Sequence, residues 1–165
     1  MIYILKYLPA GKAGVFLFLL LLLHLFLLFN LQFTAWPEML SYAYLRNNDF
    51  LLYKDMIYPY PLVLTIVLSL VYKLFGYHLW VLQAVAWSII LVGSLLVFIL
   101  IKNITKSDSI ALVGLALYVF LQPFLGGNML WFDLAVVPPL LLAALFIFHR
   151  KIFFAGLLLG VAALI

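Results

Sequence analysis

Three of the five acidic residues in this chain of 165 residues lie together in one polar stretch. Glu38, Asp49 and Asp55 fall within residues 34–61, which read TAWPEMLSYAYLRNNDFLLYKDMIYPYP. A carboxylate can accept a proton from an attacking hydroxyl group or help to hold a divalent cation. Because charged side chains are costly at the centre of a bilayer, so polar a stretch belongs at or outside a membrane surface. We therefore predict that residues 34–61 form one wall of an active site.

A fourth acidic residue, Asp133, lies near the start of the apolar segment 129–148. A carboxylate inside a membrane segment points to function, since a partner, a cation or a substrate must offset its burial. The alternative is a carboxylate that reaches the outer lipid headgroups from the helix end. Basic side chains at Arg46, Lys54 and Lys73 would suit a phosphate group. Contact with anionic lipid headgroups explains each of these three equally well.

The rest of the chain has the composition of a membrane scaffold. Hydrophobic residues make up 70%, charged residues 8%, and the mean hydropathy is +1.32, whereas a soluble domain is about 45–50% apolar. The net charge of +4 is explained by Lys and Arg beside membrane spans, with no nucleic-acid partner. Cysteine is absent, as are nucleotide-binding loops and the H-E-x-x-H motif. We expect an all-α integral membrane protein with a multi-span helical bundle.

The predicted organisation is a single transmembrane domain over residues 1–165. The first span is expected to be an uncleaved anchor, because its apolar core exceeds the 7 to 15 residues of a signal peptide. Within it, His24 is expected to face the bundle, since no second metal ligand lies at helical spacing. The apolar ending GLLLGVAALI predicts an N-terminal fragment of a longer protein. The predicted spans are 13–33, 79–101, 109–124, 129–148 and an incomplete one at 152–165.

Segment 62–77 is apolar but carries a regular polar pattern. Thr65, Ser69, Tyr72 and Gly76 recur at steps of four, three and four, which draws a polar stripe along one helical face. A helix lying in the membrane interface has such a stripe. A span whose stripe packs against other helices has one too, so the pattern alone leaves both alternatives open.

The placement of basic residues favours the interfacial helix. If segment 62–77 crossed the membrane, alternation would leave most Lys and Arg on the outer side, against the positive-inside rule. If the segment lies flat on the outer face, one cluster of basic residues gathers on the inner side. This inner cluster would consist of Lys6, Lys12, Lys102, Lys106, Arg150 and Lys151. We therefore predict an interfacial helix over 62–77 and an outer catalytic loop over 34–61.

Several short phrases of the sequence resemble a known enzyme family. They are WPE after the first span, then LLYKDMIYPYPL, KLFGYH, WFDLAVVPPLLL and FAGLLLGVAALI. Their order is similar to the N-terminal part of polyprenol-dependent glycosyltransferases of the GT-C fold, within the bacterial group related to protein O-mannosyltransferases and aminoarabinose transferases. The resemblance implies a catalytic acid on the first outer loop, a juxtamembrane helix after it, and a sugar donor carried on a polyprenyl phosphate.

The resemblance also implies roles for individual acids. Glu38 stands near the position of the family's catalytic aspartate, and Asp133 near that of an acidic residue on the second outer loop. Many members have Asp or Asp-Glu where this chain has Pro-Glu, so Asp55 or Asp49 is an alternative catalytic acid, and an inactive protein is another alternative. Glu38 or Asp133 would hold a divalent metal ion if the reaction needs one.

The basic residues complete the expected site, because Arg46, Lys54 or Lys73 would neutralise the departing lipid phosphate. We expect a glycosyltransferase that moves a sugar from a polyprenyl-phosphate donor to a cell-envelope lipid, glycan or protein, at the outer face of a bacterial plasma membrane. A transporter or lipid flippase is a rival, with Asp133 and a proline-kinked helix at a midplane site. A non-catalytic membrane assembly protein is the third alternative.

Overall fold

The computed structural model describes residues 9–165, and the regular elements in that part of the chain are all helices. Three helices, the first, fourth and fifth, are long and apolar enough to cross a membrane. The third, sixth and seventh are apolar but shorter. The predicted all-α fold class is therefore confirmed for the described residues. In chain order the helices are α1 (Gly11–Asn30), α2 (Pro37–Asn47), α3 (Val63–Phe75), α4 (Leu79–Thr105), α5 (Asp108–Leu125), α6 (Phe132–Phe148) and α7 (Ile152–Ala163).

The helices differ from the predicted spans mainly at their ends. α1 stops at Asn30, earlier than the predicted 33, because Leu31 turns to extended backbone with φ −92° and ψ 143°. α4 runs on to Thr105, beyond the predicted 101, and ends where Lys106 takes a left-handed conformation with φ +57°. Of the basic residues predicted to lie on the inner side, Lys6 falls outside the described residues.

Helices α1, α4, α5 and α6 pack together, and α7 packs along α6. We call the end of this bundle where α1 stops and α6 begins the loop end. The opposite end, which holds the short α4–α5 and α6–α7 connections, is the turn end. At the turn end Ser107 caps α5 by accepting the N–H of Ile110 at 3.4 Å, as its position before the helix predicts.

Two apolar clusters fill the bundle, one towards each end. The turn-end cluster includes Leu17, Leu96, Phe98, Ile99, Ala111, Leu115, Val119 and Leu145. The loop-end cluster joins the bundle to α2 and α3, and includes Leu28, Met39, Ala43, Leu64, Leu68, Tyr72, Leu82, Ile90, Leu130 and Leu134. Hence α2 and α3 share a core with the loop end of the bundle rather than forming a separate unit.

Both ends of α3 lie at the loop end. Its first residue, Val63, donates its N–H to the carbonyl of Leu164 at 3.0 Å, and the neighbouring Ile165 packs on the loop-end cluster. Its last turn leads through Gly76, with φ +81°, to the start of α4, whose Val81 belongs to the same cluster. The chain therefore enters and leaves α3 on the same side of the bundle, while its position relative to a membrane stays a prediction.

The polar stripe of α3 faces protein rather than water. Thr65, Ser69 and Tyr72 are all buried, and α3 packs against α2. The exposed face of α3 is apolar instead, with Leu70 and Leu74 more than half exposed. Because the stripe packs against a neighbouring helix, it carries no information by itself about contact with solvent.

Candidate active site at the loop end

Two segments that are far apart in sequence run side by side just before α2 and α6. Thr34 and Met129 form a parallel bridge, and the Thr34 N–H donates to the carbonyl of Asn128 at 2.9 Å. Two residues further along each segment, the rings of Trp36 and Trp131 lie 5.0 Å apart. The Trp36 indole N–H also points at the Met129 sulfur, 3.0 Å away. The pairing therefore makes α2 and α6 begin next to each other.

This pairing puts Glu38 and Asp133 in equivalent positions. Each follows a Trp that precedes its helix, and each lies in the first helical turn, where the helix dipole favours a carboxylate. The Asp133 Oδ1 accepts the N–H of Leu134 at 2.7 Å. The Glu38 Oε2 is buried and has no hydrogen-bond partner among the described residues. A buried polar atom without a partner costs free energy, which marks the Glu38 carboxylate as a candidate functional group.

Asn128 fixes the connection that leads into α6. Its amide nitrogen donates to the carbonyls of Leu28 and Leu31 at 2.8 and 2.9 Å, which satisfies backbone groups at the end of α1. Its amide oxygen accepts the Trp87 indole N–H at 2.8 Å. One buried side chain thus ties α1 and α4 to the segment that pairs with Thr34.

A buried polar network continues from this connection into the bundle. His24 is fully buried, with Nδ1 2.9 Å from the Ser94 hydroxyl and Nε2 3.0 Å from the Gln122 Oε1. The Gln122 amide N–H donates to the carbonyl of Gly127 at 3.2 Å, which turns its oxygen towards His24. Because that oxygen only accepts, Nε2 of His24 must carry a proton. The single hydrogen of the Ser94 hydroxyl can go either to Nδ1 of a neutral His24 ring or to the carbonyl of Ile90, 2.9 Å away.

Aromatic rings join the predicted catalytic loop to the start of α6. Tyr60 stacks on Phe132 with centroids 4.4 Å apart and also contacts Trp131 at 5.7 Å. On its other side Tyr60 meets Tyr58, and Tyr58 meets Tyr42 of α2 at 4.8 Å. Aromatic contacts of this kind contribute about 0.5–1.5 kcal/mol each beyond area burial. The row holds the chain before α3 against both acid-bearing helix starts.

Tyr58 is the buried member of this row. Its hydroxyl donates to the carbonyl of Pro61 at 3.0 Å and also bonds the Thr65 hydroxyl. Burial raises the pKa of Tyr58 above its ordinary value, and the bond with Thr65 opposes that rise. The phenol therefore stays protonated as a hydrogen-bond donor at neutral pH.

Two of the three predicted phosphate-binding residues share a cleft. Arg46 and Lys73 line a space of about 570 Å³ beside Asp49, with apolar walls from Phe50, Leu62 and Ile66 among others. The Arg46 guanidinium donates to the Ser69 hydroxyl across the α2–α3 contact, which holds its side chain in place. This cleft offers two positive charges next to an apolar surface, a combination that suits a lipid phosphate.

Lys54 and Asp55 also lie at the loop end, but outside this cleft. Both line a shallow space of about 390 Å³ formed by residues 53–58. The Asp55 Oδ2 accepts the N–H of Leu51 at 2.9 Å, so this carboxylate closes a tight turn of its own loop. The six predicted site residues therefore fall into three groups: Glu38 with Asp133, Arg46 with Lys73, and Lys54 with Asp55.

Asp133 also lines a cleft between α5 and α6, of about 410 Å³, with walls that include Leu121, Leu134 and Val137. No group of three or more His, Cys, Asp or Glu side chains that could hold a metal ion occurs within residues 9–165. The two carboxylates at the helix starts could still share a cation with a substrate phosphate, as Mg²⁺ sites often do.

The sequence pattern identified the acids but not the residues that bring them together. Asn128, Gln122 and the row around Tyr60 carry the long-range contacts, and none was predicted to matter. One sequence pattern could have indicated that Glu38 and Asp133 occupy equivalent positions. The phrases Trp36-Pro37-Glu38 and Trp131-Phe132-Asp133 share the pattern of Trp, any residue, then an acid.

No protein-family model matches this chain, and comparison with curated proteins and with solved structures finds no significant match. A functional interpretation therefore rests on the residues of the loop end and their geometry.

Proposed function

We propose that this chain is a multi-pass integral membrane glycosyltransferase that acts at the outer face of a bacterial plasma membrane. It moves a sugar from a polyprenyl-phosphate donor to an acceptor of the cell envelope. The observation that carries the proposal is the parallel pairing before α2 and α6, which gives Glu38 and Asp133 equivalent places at adjacent helix starts. The resemblance of WPE and WFD to the two outer-loop acids of GT-C enzymes supports it further.

The distribution of charge supports this orientation in a membrane. The turn end has a strong excess of basic residues, and the loop end is close to neutral with most of the acids. The turn end carries Lys12, Lys102, Lys106, Arg150 and Lys151 with Asp108, and the loop end carries Arg46, Lys54 and Lys73 with Glu38, Asp49, Asp55 and Asp133. By the positive-inside rule the turn end faces the cytoplasm. The loop end then faces outward, where a lipid-linked sugar would be used.

In the proposed reaction Glu38 acts as the general base. The carboxylate of Glu38, a residue that is only partly buried, takes the proton of the acceptor hydroxyl, whose oxygen then attacks the anomeric carbon of the sugar. The bond between that carbon and the phosphate oxygen breaks, so the configuration inverts and polyprenyl phosphate leaves. The leaving phosphate needs no proton near neutral pH. One base and nearby positive charge therefore suffice.

Arg46 and Lys73 would bind the donor phosphate in the cleft between α2 and α3. The apolar walls of that cleft would accommodate the first isoprene units, and the guanidinium is already positioned by Ser69. Lys54, on the neighbouring loop, would add long-range attraction for the phosphate. Asp133 would orient the acceptor, and Asp55 would keep the loop in shape through its bond to Leu51.

Transport is the weaker alternative. A transporter needs polar groups near the bilayer midplane that are free to bind substrate. Asp133, the candidate group for such a site, lies in the first turn of α6 at the loop end rather than midway along the helix. Deeper in the bundle His24 is buried, and both of its ring nitrogens are already bonded to Ser94 and Gln122. That network therefore offers a substrate little hydrogen-bonding capacity.

The test is sugar transfer in membranes that contain the full-length protein. Radiolabelled polyprenyl-phosphate sugars are supplied, and label in the envelope fraction is followed over time. We expect Glu38→Gln to lower the rate by about 10² to 10⁴-fold, the usual contribution of a positioned base. Asp108→Asn is the matched control at the turn end and should keep the wild-type rate. A Glu38→Gln protein as active as the wild type would overturn the assignment of the base.

A further inference from the structure

The cleft between α5 and α6 differs in character from the one that holds Arg46 and Lys73. Its volume of about 410 Å³ falls within the usual range for small-molecule sites, about 300–1,000 Å³. Leu121, Leu134 and Val137 contribute to its walls, and Asp133 is the charged residue that lines it. By contrast, Arg46, Lys73 and Asp49 line the cleft between α2 and α3, which gives it a net positive charge. A phosphate would therefore be attracted to one cleft and repelled from the other.

The charged group of the α5–α6 cleft lies at its loop end. Asp133 is there, whereas Leu121 and Val137 lie about one turn deeper in α5 and α6. Tyr118 and Gln122 also line the deeper part, but the oxygen and nitrogen of the Gln122 amide already have hydrogen-bond partners. One oxygen of Asp133 accepts a backbone N–H, and its other oxygen has no partner among the described residues. The loop end of the cleft thus offers a charged hydrogen-bond acceptor, and the deeper part offers a mainly apolar wall beside the Tyr118 side chain.

The cleft also opens onto the outer surface of the bundle. Leu121 is 50% exposed and Leu125 is 81% exposed, and α5 is one of the three helices apolar enough to cross a membrane. In the proposed topology this surface faces lipid. A ligand would then enter sideways from the bilayer, with its chain between the helices and its head group towards Asp133.

We infer that the α5–α6 cleft binds the acceptor, and that the acceptor is an amphiphile with a hydrocarbon chain and a hydrogen-bond-donating head group that carries no phosphate. The acceptor role rests on the proposed function, since Asp133 is placed there beside the base. The charge of the cleft separates acceptor from donor: the phosphate-bearing lipid goes to Arg46 and Lys73, and the uncharged hydroxyl-bearing lipid goes to Asp133.

Photolabelling of the purified full-length protein in lipid nanodiscs tests this inference. Two probes are used, a monoacylglycerol and the matching lysophosphatidate, which share one diazirine-bearing chain and differ only in the phosphate. We expect the monoacylglycerol to label residues 121–137 about tenfold more than the lysophosphatidate, because one hydrogen bond to a charged group is worth about that factor. Equal labelling by the two probes would overturn the inference and indicate ordinary surrounding lipid.

Variants locate the labelling in the cleft. Leu121→Trp fills the cleft and should lower monoacylglycerol labelling several-fold. Leu117→Trp, one turn earlier on the exposed side of α5 and 59% exposed, is the matched control and should leave labelling unchanged. Asp133→Leu should abolish the preference between the probes. An equal loss in the two Trp variants would contradict binding in the cleft.

Binding and transfer can fail separately. A Glu38→Gln protein should keep the labelling preference while it loses sugar transfer, because Glu38 does not line this cleft. If the wild-type protein shows the preference but transfers no sugar, the proposed function fails and the acceptor role fails with it. If transfer succeeds while both probes label equally, the inference about the acceptor fails alone.

Discussion

The two ends of the bundle use buried polar side chains in different ways. At the loop end, Asn128 is 6% exposed and bonds two carbonyls of α1 and the Trp87 indole of α4. At the turn end, Asn103 is 1% exposed and bonds the carbonyl of Ile99 in its own helix, while its amide oxygen has no partner among the described residues. Buried polar side chains therefore set the register between distant segments at the loop end. The turn end relies on short connections, on apolar packing and on the partly exposed ion pair between Lys102 and Asp108, whose charged atoms are 2.6 Å apart.

Replacing each of these asparagines by leucine gives the largest expected contrast. Asn128→Leu removes three hydrogen bonds and leaves buried backbone groups unpaired, so it should lower the free energy of unfolding by about 2–4 kcal/mol. Asn103→Leu removes an unpaired amide oxygen and should change the free energy of unfolding by less than about 1 kcal/mol. Thermal or denaturant unfolding in one fixed detergent measures both. Equal destabilisation by the two substitutions would remove the distinction between the ends.

Replacing His24 should lower the free energy of unfolding by less, and it should also disturb the pairing of the segments at Thr34 and Met129. His24→Leu leaves the buried Gln122 oxygen without a donor and should cost about 1–2 kcal/mol. His24→Gln can still donate to that oxygen and should recover part of the loss. Because the chain has no cysteine, a protein with both Thr34→Cys and Met129→Cys can report this pairing. The two cysteines form a disulfide readily only when the two segments lie side by side.

We expect the disulfide in that protein to form several-fold more slowly with His24→Leu and at close to the original rate with His24→Gln. A Ser94→Ala change, which leaves the bond from His24 to Gln122 intact, is the control. Unchanged disulfide formation in His24→Leu would mean that the network does not hold the paired segments.

The smallest expected effect concerns Tyr58 and alkaline pH. Because burial raises the folded-state pKa of Tyr58 above the ordinary value of 10.0, its contribution to stability is complete below pH 10 and is lost as the pH rises through the folded-state value. Burial also raises the pKa of Tyr72, so tyrosinate absorbance should show more than one phenol that ionises late. Tyr58→Phe should remove one of these phenols from the titration. Thr65→Val, which removes the bond that opposes the rise, should delay that ionisation further. A titration unaltered by Tyr58→Phe would contradict this account of Tyr58.

The sequence was sufficient for the helices because they depend on local features. Long apolar runs predicted α1, α4 and α5 to within a few residues, and Ser107 signalled the start of α5. The pairing of Thr34 with Met129 was not predictable from such features. It depends on the Asn128 bonds to Leu28 and Leu31, which connect distant parts of the chain and leave no periodic pattern.

The polar stripe of α3 is a second feature that the sequence predicted only in part. Its spacing predicted a polar face correctly, but spacing cannot tell whether a polar face meets water or a neighbouring helix. Burial of Ser69 against the Arg46 and Asn47 side chains settles which surface it meets. For the candidate site, sequence supplied the acids and bases, and the structure supplied their division into three groups.

The most direct test of the account is a cysteine-accessibility map of the cysteine-free chain in intact cells. Single cysteines replace the exposed residues Gln32, Asn48 and His78 at the loop end and Lys106 and Arg150 at the turn end. A membrane-impermeant thiol reagent should label the first three positions and spare the last two. Labelling at Lys106 and Arg150 with none at His78 would place α3 across the membrane, separate Glu38 from Asp133, and contradict a shared outward-facing site.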